Sequence, residues 1–267
     1  PHVVKDILLT PELQHAEVVL YDIDLPAAEL TGRLLRRIVK EQGIDAKIVA
    51  TDKQARALAG TDYILITIST GGLDAMAHDL AIPEAYGIYH TVGDTSGPGG
   101  WARTIRNFAV FKDLACAINR KCPEAMVLNY TNPMPALTDV LARECRGPVV
   151  GLCHGLFENL RFLTRHFKVD SEEDLSVKYS GLNHFFWITE IRGKGRDLLA
   201  ELRNTIETKG FSELLKEQSD DPMGFRSHRE LATELFRVTG IMPYLGDRHT
   251  CEYFAPYITK KKRMKKY

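Results

Sequence analysis

Short apolar runs recur through the first half of the chain, separated by stretches with helical spacing. AEVVLYDID (16–24) is an apolar run ending in two acids, and it predicts a buried parallel strand. LPAAELTGRLLRRIVKEQG (25–43) follows with helical spacing, Pro26 near its start and Gly43 past its end. AKIVAT (46–51) predicts a short strand, DKQARALAG (52–60) a helix closed by Gly60, and DYILITIST (62–70) a strongly apolar strand. A helix around 105–120 leads to AMVLNYTNP (125–133), strand then loop. PMPALTDVLAREC (133–145) predicts a helix and PVVGLC (148–153) a last strand. Strand and helix alternating at this spacing predict an α/β fold with a doubly wound, Rossmann-like parallel sheet.

Past Leu156 the texture changes. SVKYSGLNHFFWITEIRGKG (176–195) holds two strand-like pieces with no helix between them, as in antiparallel pairing, and polar, mostly helical sequence follows. We place a dinucleotide-binding domain at 1–155 and an α+β substrate and metal domain at 156–267. A dinucleotide-binding sheet normally opens with a strand, GxGxxG, a helix, and a second strand ending in an acid. Here that second strand and its acids, Asp22 and Asp24, are present, and VVKDILLTPELQH (3–15) resembles the end of the helix before it. The first strand and glycine loop are absent, so the dinucleotide-binding domain is expected to be incomplete at its N-terminal end.

Composition narrows the class. Of 267 residues 44% are hydrophobic and 26% charged, which suits a globular protein, and the net charge is zero. Nothing in that balance favours nucleic acid or an anionic membrane as partner. The basic tail KKKRMKKY (260–267) reads as a solvated helical or frayed end, with a nucleic-acid or membrane patch as the lesser option. Five cysteines, widely spread and without a CxxC pair, suit a reducing cytosol better than a disulfide framework. No run of about 18 apolar residues and no signal peptide are present, so a cytoplasmic, soluble protein is expected.

Several stretches carry candidate chemistry. Asp22 and Asp24 end a strand where acids bond the adenosine ribose of NAD, or they cap the next helix. GDTSGPGGWARTIRNF (93–108) sets four glycines and two arginines before a helix, either to approach a ligand closely or as a flexible loop. NYTNPMP (129–135) puts Asn129 and Asn132 at the sheet's carboxyl edge, or forms a turn. Cys153 and His154 follow at the same edge. Adjacent strand residues face opposite ways, so a metal on Cys153 needs a distant second ligand, for which His184 is available. Inert packing and Cys–His nucleophilic catalysis remain open beside it. MPYLGDRHTCEYF (242–254) gathers Tyr244, Asp247, Arg248, His249 and Glu252, either as a site or as a solvated loop.

The ordered series LYDID, GDTSGPGG, NYTNP, LCHG, GLNH and LGDRH resembles glycoside hydrolase family 4 across almost the whole chain. These are the NAD-dependent glycosidases that depart from the two-carboxylate scheme. Members of that family continue beyond where this chain stops, so the resemblance implies an α+β substrate domain that is incomplete at its C-terminal end. The resemblance implies oxidation of the sugar at C3 by NAD⁺, loss of the C2 proton, elimination of the aglycone, water addition and return of the hydride. It implies a divalent ion, usually manganese, held by Cys153 and His184, and substrate contacts from Asn132. Asp247 would be the base, with Tyr244 as competitor for that role, and Asp22 and Asp24 would serve the cofactor. The CHG sequence is similar to the α-galacturonidase and α-glucuronidase branch, in which His154 protonates the leaving oxygen or positions substrate. A uronate carboxylate would need a cation, for which Arg103, Arg106 and Arg248 are candidates, Arg106 foremost. A small sugar glycoside is thus the expected partner, and a homo-oligomer the expected state. Two rivals stand beside this reading. One is a 2-hydroxy-acid dehydrogenase of the lactate/malate type, which would work without metal. The other is an inactive fragment that binds NAD weakly for want of the glycine loop.

Overall fold

The structure is a computed structural model that describes residues 2–218 and 229–264. In the first part of the chain helices and strands alternate as expected. They are α1 (His2–Leu9), β1 (Glu17–Tyr21), α2 (Leu25–Gln42), β2 (Lys47–Thr51), α3 (Gln54–Ala57) and β3 (Tyr63–Ile66), followed by α4 (Gly72–Ala85), α5 (Gly97–Lys121), β4 (Met126–Asn129), α6 (Met134–Glu144), β5 (Val149–Gly151) and α7 (Gly155–Phe167). β1 pairs with β2 in parallel, Glu17 opposite Lys47 through Tyr21 opposite Thr51. β3, β4 and β5 form a second sheet in that order, with β4 and β5 parallel. The fold is therefore α/β with parallel strands, but those strands lie in two sheets. β1 has no second partner strand among the described residues.

The chain divides into two compact units. One comprises Pro1–Ile64, Asp113–Met126 and Glu144–Pro148. Its core is Leu8, Leu35, Ile44 and Ile48, with Val18, Leu20 and Ile38 against them. α2 buries the face carrying Ala28, Gly32 and Leu35 and stops at Gly43, whose φ of 65° closes the helix in the left-handed region that only glycine enters cheaply.

The second unit takes Leu65–Lys112, Val127–Arg143 and the described residues from Val149 onward. Here β6 (Leu175–Leu182) and β7 (Phe185–Gly193) form the expected antiparallel hairpin, with β8 (Arg196–Asp197) at its edge. Behind it lie α8 (Leu198–Thr208), α9 (Phe211–Glu217) and α10 (Glu230–Thr239), which bury Leu198, Leu202, Phe211 and Phe236 against Ile188 and Ile191. β9 (Met242–Pro243) returns to β7, Ile188 opposite Met242 and Trp187 opposite Pro243. That pairing carries the segment after Pro243, including α11 (Asp247–Thr250), alongside the hairpin turn. α12 (Ala255–Ile258) and α13 (Lys261–Met264) follow, and Lys261 pairs with Glu84. The end of the basic tail, 265–267, lies outside the described residues.

Two helices differ from the sequence expectation. α4 has no apolar stripe to announce it: Leu73 and Ile82 are exposed, while Asp79 and Pro83 are buried. α5 begins at Gly97 rather than near 105, so the glycine-rich stretch is helix from Gly97 onward, and only 93–96 lie in a loop before it. The glycines are there for backbone contact. A Cβ on Gly99 would sit 2.8 Å from the Gly93 carbonyl oxygen, and one on Gly100 would sit 2.7 Å from the Thr95 carbonyl carbon.

Candidate functional site

The second unit brings five of the singled-out stretches to one place. His184 sits in the two-residue turn between β6 and β7, where Leu182 pairs with Phe185. Its φ is 60°, a left-handed conformation that a non-glycine residue holds at a cost of about 1–3 kcal/mol. Its side chain is buried with the residue 4% exposed, and the ring stacks on His249 with centroids 3.8 Å apart and on Tyr244 at 5.7 Å. Burial pushes the imidazole down to about 4, with the neighbouring His249 adding to the effect. The ring is therefore neutral at physiological pH.

Its tautomer follows from its neighbours. The Asp94 carboxylate can only accept, so the Thr95 hydroxyl donates to Asp94 Oδ1 at 2.9 Å. Thr95 Oγ1 then receives the Nδ1–H of His184, also at 2.9 Å. That leaves the Nε2 lone pair, which points to Cys153 Sγ 3.4 Å away. Cys153 lies at the start of α7, where the Gly155 N–H donates to the sulfur at 3.4 Å.

The rest of the cluster is oxygen- and nitrogen-rich. Asn132 donates from Nδ2 to Asp94 Oδ2 at 2.8 Å. Asp94, His184 and His249 each offer a ligand atom within 4.8 Å of the others. His249 Nδ1 is buried with no hydrogen-bond partner, 3.9 Å from Asp94 Oδ1. Unpaired buried nitrogen of that kind is costly unless something fills the place beside it. The thiol, imidazole and carboxylate donors together suit a divalent transition ion, and these residues fit one. A cavity of about 290 Å³ adjoins them, lined by Thr95, Pro133, Leu182, Asn183 and Tyr253. That is near the lower end for small-ligand pockets, about 300–1,000 Å³.

The two candidate bases are placed differently. Tyr244 packs against the metal-ligand candidates: a Cβ on Gly155 would lie 3.1 Å from its ring and 3.5 Å from Cys153 Sγ. Buried Asn159 of α7 holds the chain on both sides of it, donating to Pro243 O at 3.0 Å and accepting from Leu245 N at 3.2 Å. Burial raises the Tyr244 phenol, as do the nearby Glu158 and Cys153 charges. Asp247 is fully buried, and its two oxygens accept the Leu231 and Ala232 N–H groups at 2.8 and 3.1 Å, at the start of α10. Burial nevertheless raises it to about 7.

His154 stands apart from the cluster's bonds. Its Nε2 is 3.3 Å from Glu158 Oε1, and that hydrogen bond raises the half-exposed imidazole. The arginines also separate. Arg106 gives three donors to the protein itself: Nη1 and Nη2 to Asp79 and Nε to Thr70 O. Arg103 donates from Nε to Asn132 O at 3.1 Å. Arg248 keeps a buried Nε with no partner. In the other unit, Asp22 Oδ1 accepts from Asp24 N at 3.0 Å, and Asp24 Oδ1 caps α2 through Ala27 N at 3.1 Å. Both acids are exposed at the end of β1, as a ribose contact requires, while no glycine-rich strand-to-helix turn precedes β1 among the described residues.

Asp94, Thr95, Asn159 and Glu158 had no role assigned from sequence. Asp94 stood inside the glycine-rich motif, and its acid directly after Gly93 was the available signal.

Residues 1–168 match the Family 4 glycosyl hydrolase model, and residues 179–267 match the Family 4 glycosyl hydrolase C-terminal domain. An α-galacturonidase of Bacillus subtilis (strain 168) is 36% identical over 257 residues, covering 92% of this chain and 57% of that protein. The chain thus spans little more than half the length of such relatives. A solved glucosidase structure from Bacillus subtilis superposes with a TM-score of 0.81 at 32% identity, covering 98% of this chain and 62% of that one. A 6-phospho-α-glucosidase from gut microorganisms, solved in complex with NAD and Mn²⁺, shares the fold at a TM-score of 0.79 and 24% identity, over 98% of this chain and 58% of that one. With matches running from its first residue to its last, the chain belongs to glycosyl hydrolase family 4.

Proposed function

We propose that the protein hydrolyses α-glycosides of a uronate sugar, α-galacturonides before α-glucuronides, with NAD and a divalent ion such as manganese. The observation that carries this is the convergence of Cys153 Sγ and His184 Nε2 at 3.4 Å, beside a buried, unpartnered His249 Nδ1. The α-galacturonidase relative and the NAD- and Mn²⁺-bound neighbour support the same reading.

In this reading Cys153 and His184 hold the metal, with Asp94 and His249 as further donors. When bound, the ion would supply positive charge to steady oxyanions of the sugar. Asn132 would orient sugar hydroxyls from its position on Asp94. Tyr244, packed against Cys153 and His184, is the better placed base, because a cation held by those two residues would offset the burial that raises its phenol; Asp247 has both oxygens committed to α10. His154, steadied by Glu158, would meet the leaving oxygen. For the uronate carboxylate Arg248 is favoured over Arg106, whose guanidinium is taken by Asp79. Asp22 and Asp24 would bond the adenosine ribose, and residues 1–155 would form the cofactor part.

Assay of p-nitrophenyl α-galacturonide, α-glucuronide and α-glucoside with NAD⁺, Mn²⁺ and a thiol reductant tests the proposal. Uronide cleavage that requires both cofactors and is abolished in Cys153→Ser is expected. Cleavage of neither uronide, or activity that survives chelation, would refute it.

A further inference from the structure

Asp94 and Thr95 meet His184 from a loop, 90–96, that has no regular structure of its own. What holds the loop is Glu252, three residues past His249 and 4% exposed. Its Oε1 accepts the backbone N–H groups of Thr91, Val92 and Gly93 at 2.8, 2.7 and 2.9 Å. Three successive amides folded onto one oxygen make an anion nest. Gly93, with φ of 65°, turns the chain there, and the next two residues are Asp94 and Thr95. His90, its side chain fully buried, puts Nδ1 3.5 Å from the same oxygen. Burial alone would raise Glu252, but the His90 bond and the amides outweigh it and hold the carboxylate below its ordinary range. The Thr91 hydroxyl donates to Arg248 O, so the loop is tied to the 247–253 segment at a second point.

We propose that Glu252 is a positioning residue: by gripping the 91–93 backbone it sets where Asp94 and Thr95 stand against His184. The proposal rests on reading the cluster around His184 as the reactive site. A carboxylate just past α11 couples the loop bearing Asp94 to the helix bearing His249, so both donors move together. Groups bonded directly to metal ligands tune affinity by about 10–100-fold, and Glu252, acting one step further out through the backbone, is expected at the lower end of that range.

Two variants test it. Glu252→Asp keeps the charge but is one methylene too short to reach all three amides. Glu252→Gln keeps an oxygen in place for them. Two readouts are taken on each: the imidazole ¹⁵N shifts of His184 in the metal-free chain, and Mn²⁺ affinity by titration calorimetry, with circular dichroism confirming the fold. Glu252→Asp should move the His184 Nδ1 resonance and weaken Mn²⁺ binding about tenfold or more, while Glu252→Gln stays within about threefold of wild type. An unmoved His184 resonance in Glu252→Asp overturns the proposal, as does collapse of the fold in that variant, which would mark a purely structural residue. If the wild-type chain binds no Mn²⁺ yet the His184 resonance moves, positioning stands and the metal reading falls.

Discussion

Replacing glycine by alanine in two helices of this protein should give opposite signs. Alanine in a helix interior is favoured over glycine by about 0.5–1 kcal/mol. At Gly32 in α2, the new methyl would meet only the far end of the Arg36 side chain, at 3.2 Å, and that flexible end needs to give only slightly to keep its bonds to Ile48 O and Glu29. Gly32→Ala should therefore stabilise by about 0.5 kcal/mol or more. At Gly99 in α5, the methyl would lie 2.8 Å from the Gly93 carbonyl and 3.2 Å from that of Asp79, and neither backbone atom can yield without moving its segment. Overpacking of this kind costs about 1–3 kcal/mol. Set against the helix gain, the net loss centres on about 1 kcal/mol, or a Tm lower by roughly 2–4 °C. Because Gly93 directly precedes Asp94, the shift should also weaken Mn²⁺ binding. Urea unfolding and Mn²⁺ titration of both variants check this. Gly99→Ala as stable as wild type, with unchanged metal affinity, would refute the reading of these glycines as points of backbone contact.

Other outcomes follow from the same geometry. Tyr244→Phe should lower kcat by about 100-fold or more with Tm little changed, whereas Asp247→Ala should cost about 2–3 kcal/mol by orphaning the Leu231 and Ala232 amides; the reverse pattern in steady-state kinetics and melting would exchange their roles. Arg106→Gln, which leaves buried Asp79 without its partner, should lose about 2 kcal/mol on urea unfolding, less than a fully buried pair would because the arginine is partly exposed. For His184 the folded value of about 4 lies below the ordinary 6.5, so between those values the unfolded chain binds the proton and the folded chain does not. Stability from this group is full above about pH 6.5 and falls as pH drops toward 4. The loss from pH 7 to pH 5 should be about 2 kcal/mol greater in wild type than in His184→Gln, and equal slopes for the two proteins would contradict it.

Much of the fold was legible because it rests on simple patterns. The apolar run before Asp22, the stripe of α2 ending at Gly43, and the paired strands around His184 all have the periodicity of the element they form. α4 was illegible for a physical reason: with Asp79 buried on Arg106 and Leu73 exposed, its polarity does not report its burial. The glycines at 97–100 misled because their function is close approach of backbone, which has the same composition as flexibility. In the site, the residues alone offered His184 as a second ligand for Cys153 but left packing and thiol catalysis equally open, since 31 residues separate the two along the chain, and the family resemblance made the choice. Asp94 and Glu252 depend on loop geometry that no local spacing encodes. Asp247 illustrates the converse: a motif acid with a shifted titration whose visible bonds are those of a helix cap.

If Cys153 and His184 present one metal position, binding of the ion depends on both side chains. Electron paramagnetic resonance titration of this chain with Mn²⁺ tests it without any need for turnover. One bound ion per chain is expected, lost in both Cys153→Ser and His184→Ala while each variant keeps its circular dichroism spectrum. Undiminished Mn²⁺ binding in the two variants would contradict it.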